Sequence, residues 1–145
     1  DADFRVLISP TPIVGPDRLN KADNHSNKAF FTEGSCFRAW TQEQKLKNFY
    51  VCCGDRHWQY HSLHSAGFEE FSTGAIIDAN SRVGRPPGDP DSNDPNALIM
   101  QCYTYNEPTG GFLNVTVTPG STPTAAFRFY DERGALLYEE VKVGN

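Results

Sequence analysis

The last third of the chain alternates apolar and polar side chains with the period of a half-buried β-strand. The alternation places Phe127 and Phe129 on one face of its segment, and the turn at 131–134 ends on Gly134, a residue that adopts the left-handed conformation without strain. The pattern predicts an antiparallel sheet within 111–143 made of three strands, at 111–118, 125–130 and 136–143.

Composition fits one β-rich domain. With 145 residues the chain is long enough to bury about two-thirds of its unfolded surface. Its 12 Gly and 10 Pro lie among short apolar runs, which favours strands and turns over a helical bundle. The net charge of −5 argues against nonspecific nucleic-acid binding, since a phosphate backbone is held by surplus Lys and Arg. No apolar stretch approaches 18 residues, so we expect no membrane span.

Upstream of this sheet the patterns predict one main helix and several strands, and hence a single α+β domain over 1–145. Thr32 or Ser35 is positioned to cap the helix. The segment 84–97 is dense in Pro and Asp and predicts a solvated polar loop. The other predicted elements are strands at 4–9, 48–53 and 57–64 and the helix at 32–47.

The apolar run 49–53 is followed by a turn that offers metal-binding side chains. Gly54 permits a sharp turn, after which Asp55 supplies a hard oxygen ligand and His57 an imidazole. The pattern therefore indicates a metal site at the end of a buried strand. The alternative is structural: an aspartate that caps the turn and a hydrogen-bonded surface histidine.

The four cysteines leave two interpretations open. Oxidised, they allow three pairings; reduced, they act as small buried apolar residues. Neighbours on one strand point to opposite faces, so Cys52 and Cys53 are poor partners for each other. The cysteines are Cys36, Cys52, Cys53 and Cys102.

Five motifs follow one another in an order that closely resembles the C-terminal part of the alkaline phosphatase D-like metallophosphoesterases, within the calcineurin-like superfamily. The resemblance covers nearly the whole chain, and the Gly-Asp-Arg-His-Trp-Gln-Tyr-His-Ser motif is quite specific. The motifs lie at 8–18, 23–28, 54–62, 69–74 and 110–117.

The resemblance implies a four-layer α/β/β/α sandwich and hydrolysis of phosphate mono- and diesters with a dinuclear metal site, iron and calcium or a similar pair. Members are commonly exported, which implies a secreted or periplasmic location. The family's early metal-binding motifs have no convincing counterpart before residue 54. We therefore expect this chain to be the last third or so of the architecture, completed by an N-terminal segment or another chain.

Individual roles follow from the same resemblance. Asp55 matches the family's Asp ligand, and His57 is a second ligand or a general acid beside the leaving oxygen. Asp23 and His25 fall in the segment beside the active-site mouth, which implies contact with substrate or with the ligands. Arg56 has the fork geometry for a phosphate, with a structural ion pair as the alternative.

A chain supplying only the closing ligands should be catalytically poor alone. The alternative functions are a β-rich binding or structural module without catalysis and a protein that binds a single metal ion. A partial sandwich should also leave apolar side chains on an open face. The expected residues are Phe49, Val51, Leu113 and Val115.

Overall fold

The fold consists of one α-helix and two β-sheets over residues 2–144, the part of the chain that this computed structural model describes. The first sheet has the strand order β1-β2-β4-β3-β5 and the second the order β6-β7-β8. The elements are β1 (Arg5–Ser9), α1 (Phe31–Glu43), β2 (Phe49–Cys53), β3 (Gln59–Leu63), β4 (Glu69–Thr73), β5 (Met100–Thr104), β6 (Gly111–Thr118), β7 (Thr124–Asp131) and β8 (Leu136–Val143).

The elements pack in the order helix, sheet, sheet. Helix α1 lies on the outer face of the first sheet, where the ring of Phe37 is 6.2 Å from that of Phe49. The second sheet covers the opposite face, and Phe127 stacks on Phe71 of β4 at 4.1 Å. Within the first sheet β1, β2 and β4 are parallel, while β3 runs antiparallel to β4 and β5. The predicted β-rich α+β class, with one main helix and a C-terminal antiparallel sheet, is confirmed.

Several local predictions are confirmed and others need correction. The three C-terminal strands are present, and Gly134 adopts φ +84° in the predicted turn. Helix α1 ends at Glu43, short of the predicted residue 47. Neither Thr32 nor Ser35 caps it: Asn27 accepts a hydrogen bond from the amide of Ala29 and caps a short 3₁₀ turn that precedes α1. All four cysteines are free thiols.

The loop 84–97 is irregular, as predicted, and braces a second loop, 10–28. The amide of Leu19 donates to the carbonyl of Asp91 at 2.7 Å, and the amide of Asn93 donates to the carbonyl of Asp17 at 2.8 Å. The Asn93 side chain also donates to the carbonyl of Ser26 at 2.6 Å. The two loops therefore support each other beyond the ends of the strands. None of the described helices is long and apolar enough to cross a membrane.

A closed circuit of polar side chains, the inter-sheet ring, joins β3 and β4 to β8. His61 contacts Glu69 at 2.7 Å through Nε2 and the hydroxyl of Tyr138 at 3.0 Å through Nδ1. Tyr138 donates to Glu140 at 3.1 Å, and Lys142 closes the circuit with Glu140 at 2.7 Å and Glu69 at 2.8 Å. These bonds give the apolar packing between the sheets a defined register.

Replacing Glu69 with glutamine should make the contribution of the ring visible as a pH dependence. Burial raises the pKa of Glu69, but the hydrogen bonds from His61 and Lys142 outweigh it and lower that pKa below the ordinary value. The carboxylate therefore stabilises the fold above the pKa of an unfolded glutamate, and this stabilisation is lost as the pH falls through the lowered folded pKa. The free energy of unfolding of the wild type should exceed that of Glu69→Gln by about 1–2 kcal/mol at pH 7, and the difference should shrink progressively towards pH 3.

Urea unfolding of both proteins across that pH range measures the difference. Glu139→Gln is the matched control, because Glu139 lies on the same strand as Glu140 but pairs with Arg128 away from the ring. This exposed pair should contribute less than about 1 kcal/mol. A constant difference between wild type and Glu69→Gln at every pH would contradict the assigned role.

Two edge strands of the sandwich leave apolar side chains of the inter-sheet faces uncovered. Strands β1 and β6 are edge strands. Strand β8 contacts β3 and β4, and β6 also contacts β4. The register places the exposed β1 side chains on the same face as Tyr50 and the exposed β6 side chains on the same face as Phe127. We call these residues the open seam: Val6, Ile8, Val115 and Val117, with exposed fractions of 42%, 82%, 36% and 54%.

The open seam only partly matches the residues expected on an open face. Val115 is exposed, but the expectation for Val51 is wrong, because Val51 is fully buried beneath α1 within the first sheet's core. Phe49 and Leu113 are half-buried. The uncovered surface lies at the sheet edges, since the interior strand β2 packs against α1 on one face and against the second sheet on the other.

Candidate functional site

The site begins where β2 ends at a tight turn. The amide of Gly54 donates to the carbonyl of Ser9 at 3.1 Å, which holds the turn beside the end of β1. The amide of Arg56 then donates to the carbonyl of Gly54 at 2.8 Å, and Asp55 between them adopts φ +66°. Aspartate is one of the few residues with a side chain that tolerates this left-handed conformation. The turn leaves the Asp55 carboxylate 43% exposed at the strand end.

His57 has its imidazole fixed in one tautomer when neutral. Its Nδ1 lies 2.6 Å from the carbonyl oxygen of Asn80, and a carbonyl oxygen can only accept, so Nδ1 carries the proton. Nε2 then keeps its lone pair. A backbone carbonyl on Nδ1 is the usual support of a histidine that ligates metal through Nε2. The His57 carbonyl accepts hydrogen bonds from the amide of Arg82 at 2.8 Å and from the hydroxyl of Tyr105 at 3.0 Å, which fixes the backbone.

Arg56 is buried and surrounded by carboxylates. Its guanidinium lies 3.1 Å from Asp17, 3.0 Å from Asp23 and 3.0 Å from Asp55. Of the two roles considered for Arg56, this geometry is that of the structural ion pair, because the guanidinium already faces three carboxylates. By pairing with Asp55, Arg56 orients one oxygen of the candidate metal ligand.

Asp17 is the member of this cluster that sequence reasoning missed. It is fully buried and accepts hydrogen bonds from the amide of Arg18 at 2.7 Å and from the side chain of Asn24 at 3.0 Å. Burial raises the pKa of Asp17 against the opposing charge of Arg56. Asp17 lies within the motif at 8–18, but a Pro-Asp pair in an irregular stretch gives no local sign of burial.

The structure brings Asp23 into the cluster and leaves His25 outside it. Burial works against ionisation of Asp23, yet hydrogen bonds from Lys21 and Arg56 lower its pKa to about 2. Asp23 is therefore a carboxylate near the turn, linked to Asp55 through Arg56. His25 instead has its Nε2 3.5 Å from Glu33 and its ring 5.4 Å from that of Phe30.

Glu70 holds the loop that carries Asp17 and Asp23. Its fully buried carboxylate accepts three backbone N–H bonds, from Ile13 at 2.6 Å, Val14 at 2.9 Å and Gly15 at 2.9 Å. The hydroxyl of Tyr60 donates a fourth bond at 2.7 Å. Burial raises the pKa of Glu70, and these hydrogen bonds oppose that shift. Sequence reasoning assigned Glu70 no role, because its backbone partners lie more than fifty residues away.

The donor set in this chain fits one part of a metal site. His57 offers an imidazole nitrogen and Asp55 a carboxylate, both suitable for a divalent cation. Within residues 2–144, no three His, Cys, Asp or Glu side chains are grouped so that they could hold a metal ion. Two donors are fewer than a protein metal site ordinarily supplies.

Comparison with solved structures places the fold in a known class. The helix–sheet–sheet sandwich is a PhoD-like fold. The chain is similar to the solved structure of PhoD with a TM-score of 0.56 and 14% sequence identity, over 98% of this chain and 31% of that chain. This chain therefore spans about a third of the length of PhoD, and its two sheets are compatible with the C-terminal part of such a fold.

Sequence comparisons add nothing to this likeness. No protein-family model matches the chain, and no curated protein matches it. At 14% identity the structural similarity concerns the fold, and the chemistry must be argued from the site itself.

Proposed function

We propose that this chain is the C-terminal part of a metal-dependent phosphoesterase, and that it contributes His57 and Asp55 to a metal site completed by other polypeptide. The observation that carries the proposal is the hydrogen bond from His57 Nδ1 to the Asn80 carbonyl, which leaves Nε2 as a lone-pair donor two residues after the exposed carboxylate of Asp55. The PhoD-like fold supports the same assignment. The substrates would be phosphate mono- or diesters, and the location would be outside the cytoplasm.

The contribution of each residue follows from its position. The family implies a dinuclear pair, iron and calcium or similar, which polarises the ester and lowers the pKa of a water molecule. In this chain His57 would bind through Nε2 or hold a proton beside the leaving oxygen. Asp55 would bind through its carboxylate, with Arg56 fixing its orientation. Asp23 would add negative charge near the cations, and its low pKa keeps it ionised.

The open seam supports the need for further polypeptide. Its apolar residues lie on edge strands of both sheets, where added strands would cover them. A noncatalytic binding module is the second candidate, and the observation in its favour is that the described residues contain no three-ligand group.

Manganese titration of the isolated chain, followed by ¹H–¹⁵N NMR, tests the proposal without requiring turnover. Paramagnetic broadening should centre on residues 55–57 with weak affinity, roughly millimolar, because only two donors are present. His57→Gln should abolish the local broadening. Asp91→Asn is the matched control, since Asp91 is an exposed carboxylate on a different loop.

Turnover is tested in a polypeptide that also carries the remaining portion of a PhoD-like sandwich, with chromogenic phosphate mono- and diesters. His57→Gln should lower kcat by roughly a hundredfold or more, while Asp91→Asn should leave kcat unchanged. Broadening spread evenly over surface carboxylates, or full turnover by His57→Gln, would refute the assignment. Local manganese binding without turnover in the completed polypeptide would favour the noncatalytic module.

A further inference from the structure

A cavity lies away from the Asp55–His57 turn, between the start of α1 and the loops 10–28 and 84–97. It has a volume of about 310 Å³, and none of Asp55, Arg56 and His57 lines it. This volume is at the small end of the range for ligand pockets. Apolar side chains form part of its wall, among them Leu19, Phe31 and Leu98, which are 48%, 61% and 72% exposed.

The cavity contains positive charge without a carboxylate partner. Arg38 is half-buried, and its guanidinium donates to neutral acceptors: the carbonyls of Ile13 at 3.0 Å and His25 at 3.2 Å, and the hydroxyl of Ser35 at 3.2 Å. Within residues 2–144, neither Arg38 nor the neighbouring Lys28 forms an ion pair. Burial lowers the pKa of Arg38, and the charge of the buried Glu70, which lies beyond ion-pair distance, opposes that shift.

The carboxylate in the wall is already engaged by the backbone. Asp94 is buried and accepts the amide of Leu98 at 2.9 Å on one oxygen and the amide of Ile99 at 2.8 Å on the other. These bonds fix the local loop, so Asp94 is not positioned as the counterion of Arg38. Its charge and that of Glu70 offset part of the positive charge of Arg38 and Lys28, but both carboxylates are committed to backbone amides.

His64 adds a neutral donor. Its Nδ1 accepts the amide of Ala66 at 2.9 Å, so in the neutral ring the proton is on Nε2. Burial and the charge of Arg38 lower the pKa of His64, which favours this neutral form. His64 thus adds an N–H donor to those of Arg38 and Lys28 among the residues that line the cavity.

We propose that this cavity binds a small amphipathic anion, with a phosphate or carboxylate head at Arg38 and Lys28 and an apolar group against Leu19, Phe31 and Leu98. The head group supplies the direct ion pair that Arg38 lacks, and the apolar group covers side chains that are otherwise exposed. The site goes beyond the proposed phosphoesterase function and does not depend on it, because it shares no residue with the Asp55–His57 turn.

NMR titrations of the whole chain with phenylphosphonate, benzoate and neutral benzamide test the proposal. Phenylphosphonate or benzoate should shift amides around Arg38, His64 and Leu98, with affinity at least tenfold above that for benzamide. The two anions distinguish a phosphate-type head from a carboxylate head. Inorganic phosphate should bind more weakly than phenylphosphonate, because it lacks the apolar group.

Two variants of exposed residues keep the test independent of folding. Lys28→Gln should weaken phenylphosphonate binding about two- to fivefold, and Leu98→Ala should weaken phenylphosphonate without affecting inorganic phosphate. Lys47→Gln, an exposed lysine away from the cavity, is the matched control. Equal binding of benzamide and the anions, shifts centred elsewhere, or no binding at 10 mM (roughly the weakest affinity of interest) would overturn the proposal.

Discussion

Glu70→Ala is expected to lower the free energy of unfolding by roughly 3–5 kcal/mol. The change leaves the amides of Ile13, Val14 and Gly15 and the hydroxyl of Tyr60 without their acceptor. Each buried donor left unsatisfied costs about 1–3 kcal/mol, and water entering the space partly offsets the sum. Removing the buried charge offsets a further part, because burial disfavours the ionised carboxylate. Denaturant unfolding with a common slope measures the loss.

Two further variants should show an intermediate and a negligible loss of stability. Glu70→Gln keeps the shape but turns an amide group towards backbone donors, so it should lose about half as much, roughly 2 kcal/mol. Glu43→Ala removes an exposed glutamate from α1 and should change the stability by less than about 0.5 kcal/mol. If Glu70→Ala is no more destabilising than Glu43→Ala, Glu70 does not hold the loop.

Arg56→Met should lower the free energy of unfolding by roughly 3–5 kcal/mol, because it removes the buried cation that pairs with the fully buried Asp17. Among the described residues Asp17 would keep only the exposed Arg18 as a charged partner. Asp17 would remain in the interior with Asn24 and a backbone amide as donors. Asp23 and Asp55 reach solvent and should be affected less. Arg56→Lys should be intermediate, since one ammonium cannot match the fork that faces three carboxylates.

A double mutant separates charge from packing. If the loss in Arg56→Met reflects the uncompensated charge of Asp17, adding Asp17→Asn should recover about 2 kcal/mol. Arg85→Met is the control, because Arg85 pairs with Asp89 and Asp91 at the surface and should contribute less than about 1 kcal/mol. Additive losses in the double mutant would show that Arg56 acts through packing alone.

The parts of the fold predicted from sequence are those whose signal is local. Strands β6 and β7 alternate clearly, and the turn that ends on Gly134 predicts the return strand β8. Strand β4 was missed, since a strand beginning Glu-Glu does not look central. Its Glu70 is tolerated only because loop 10–28 supplies donors to it. Strand β5 is short and was equally inconspicuous.

In the candidate site, too, only the residues that are adjacent in sequence could be predicted. Asp55 and His57 were identified because a buried strand, a glycine and two ligand types are adjacent in sequence. The cluster around Arg56 depends on partners such as Asp17 that lie almost forty residues away. No local pattern encodes that distance, so burial and charge pairing had to be seen in three dimensions. The metal ligation by Asp55 and His57 remains a prediction.

The open seam also marks an edge, at β1, where the first sheet can be extended by a further strand. Strand β1 runs parallel to β2, and both end beside the Gly54 turn. Any strand that joined β1 in the same orientation would therefore end there too, since carboxyl ends of parallel strands gather at one rim of a sheet. The residues that follow such an added strand would lie at the same rim of the sheet as Asp55. Extension of the sheet at this edge and assembly of a fuller ligand set would thus be one structural event.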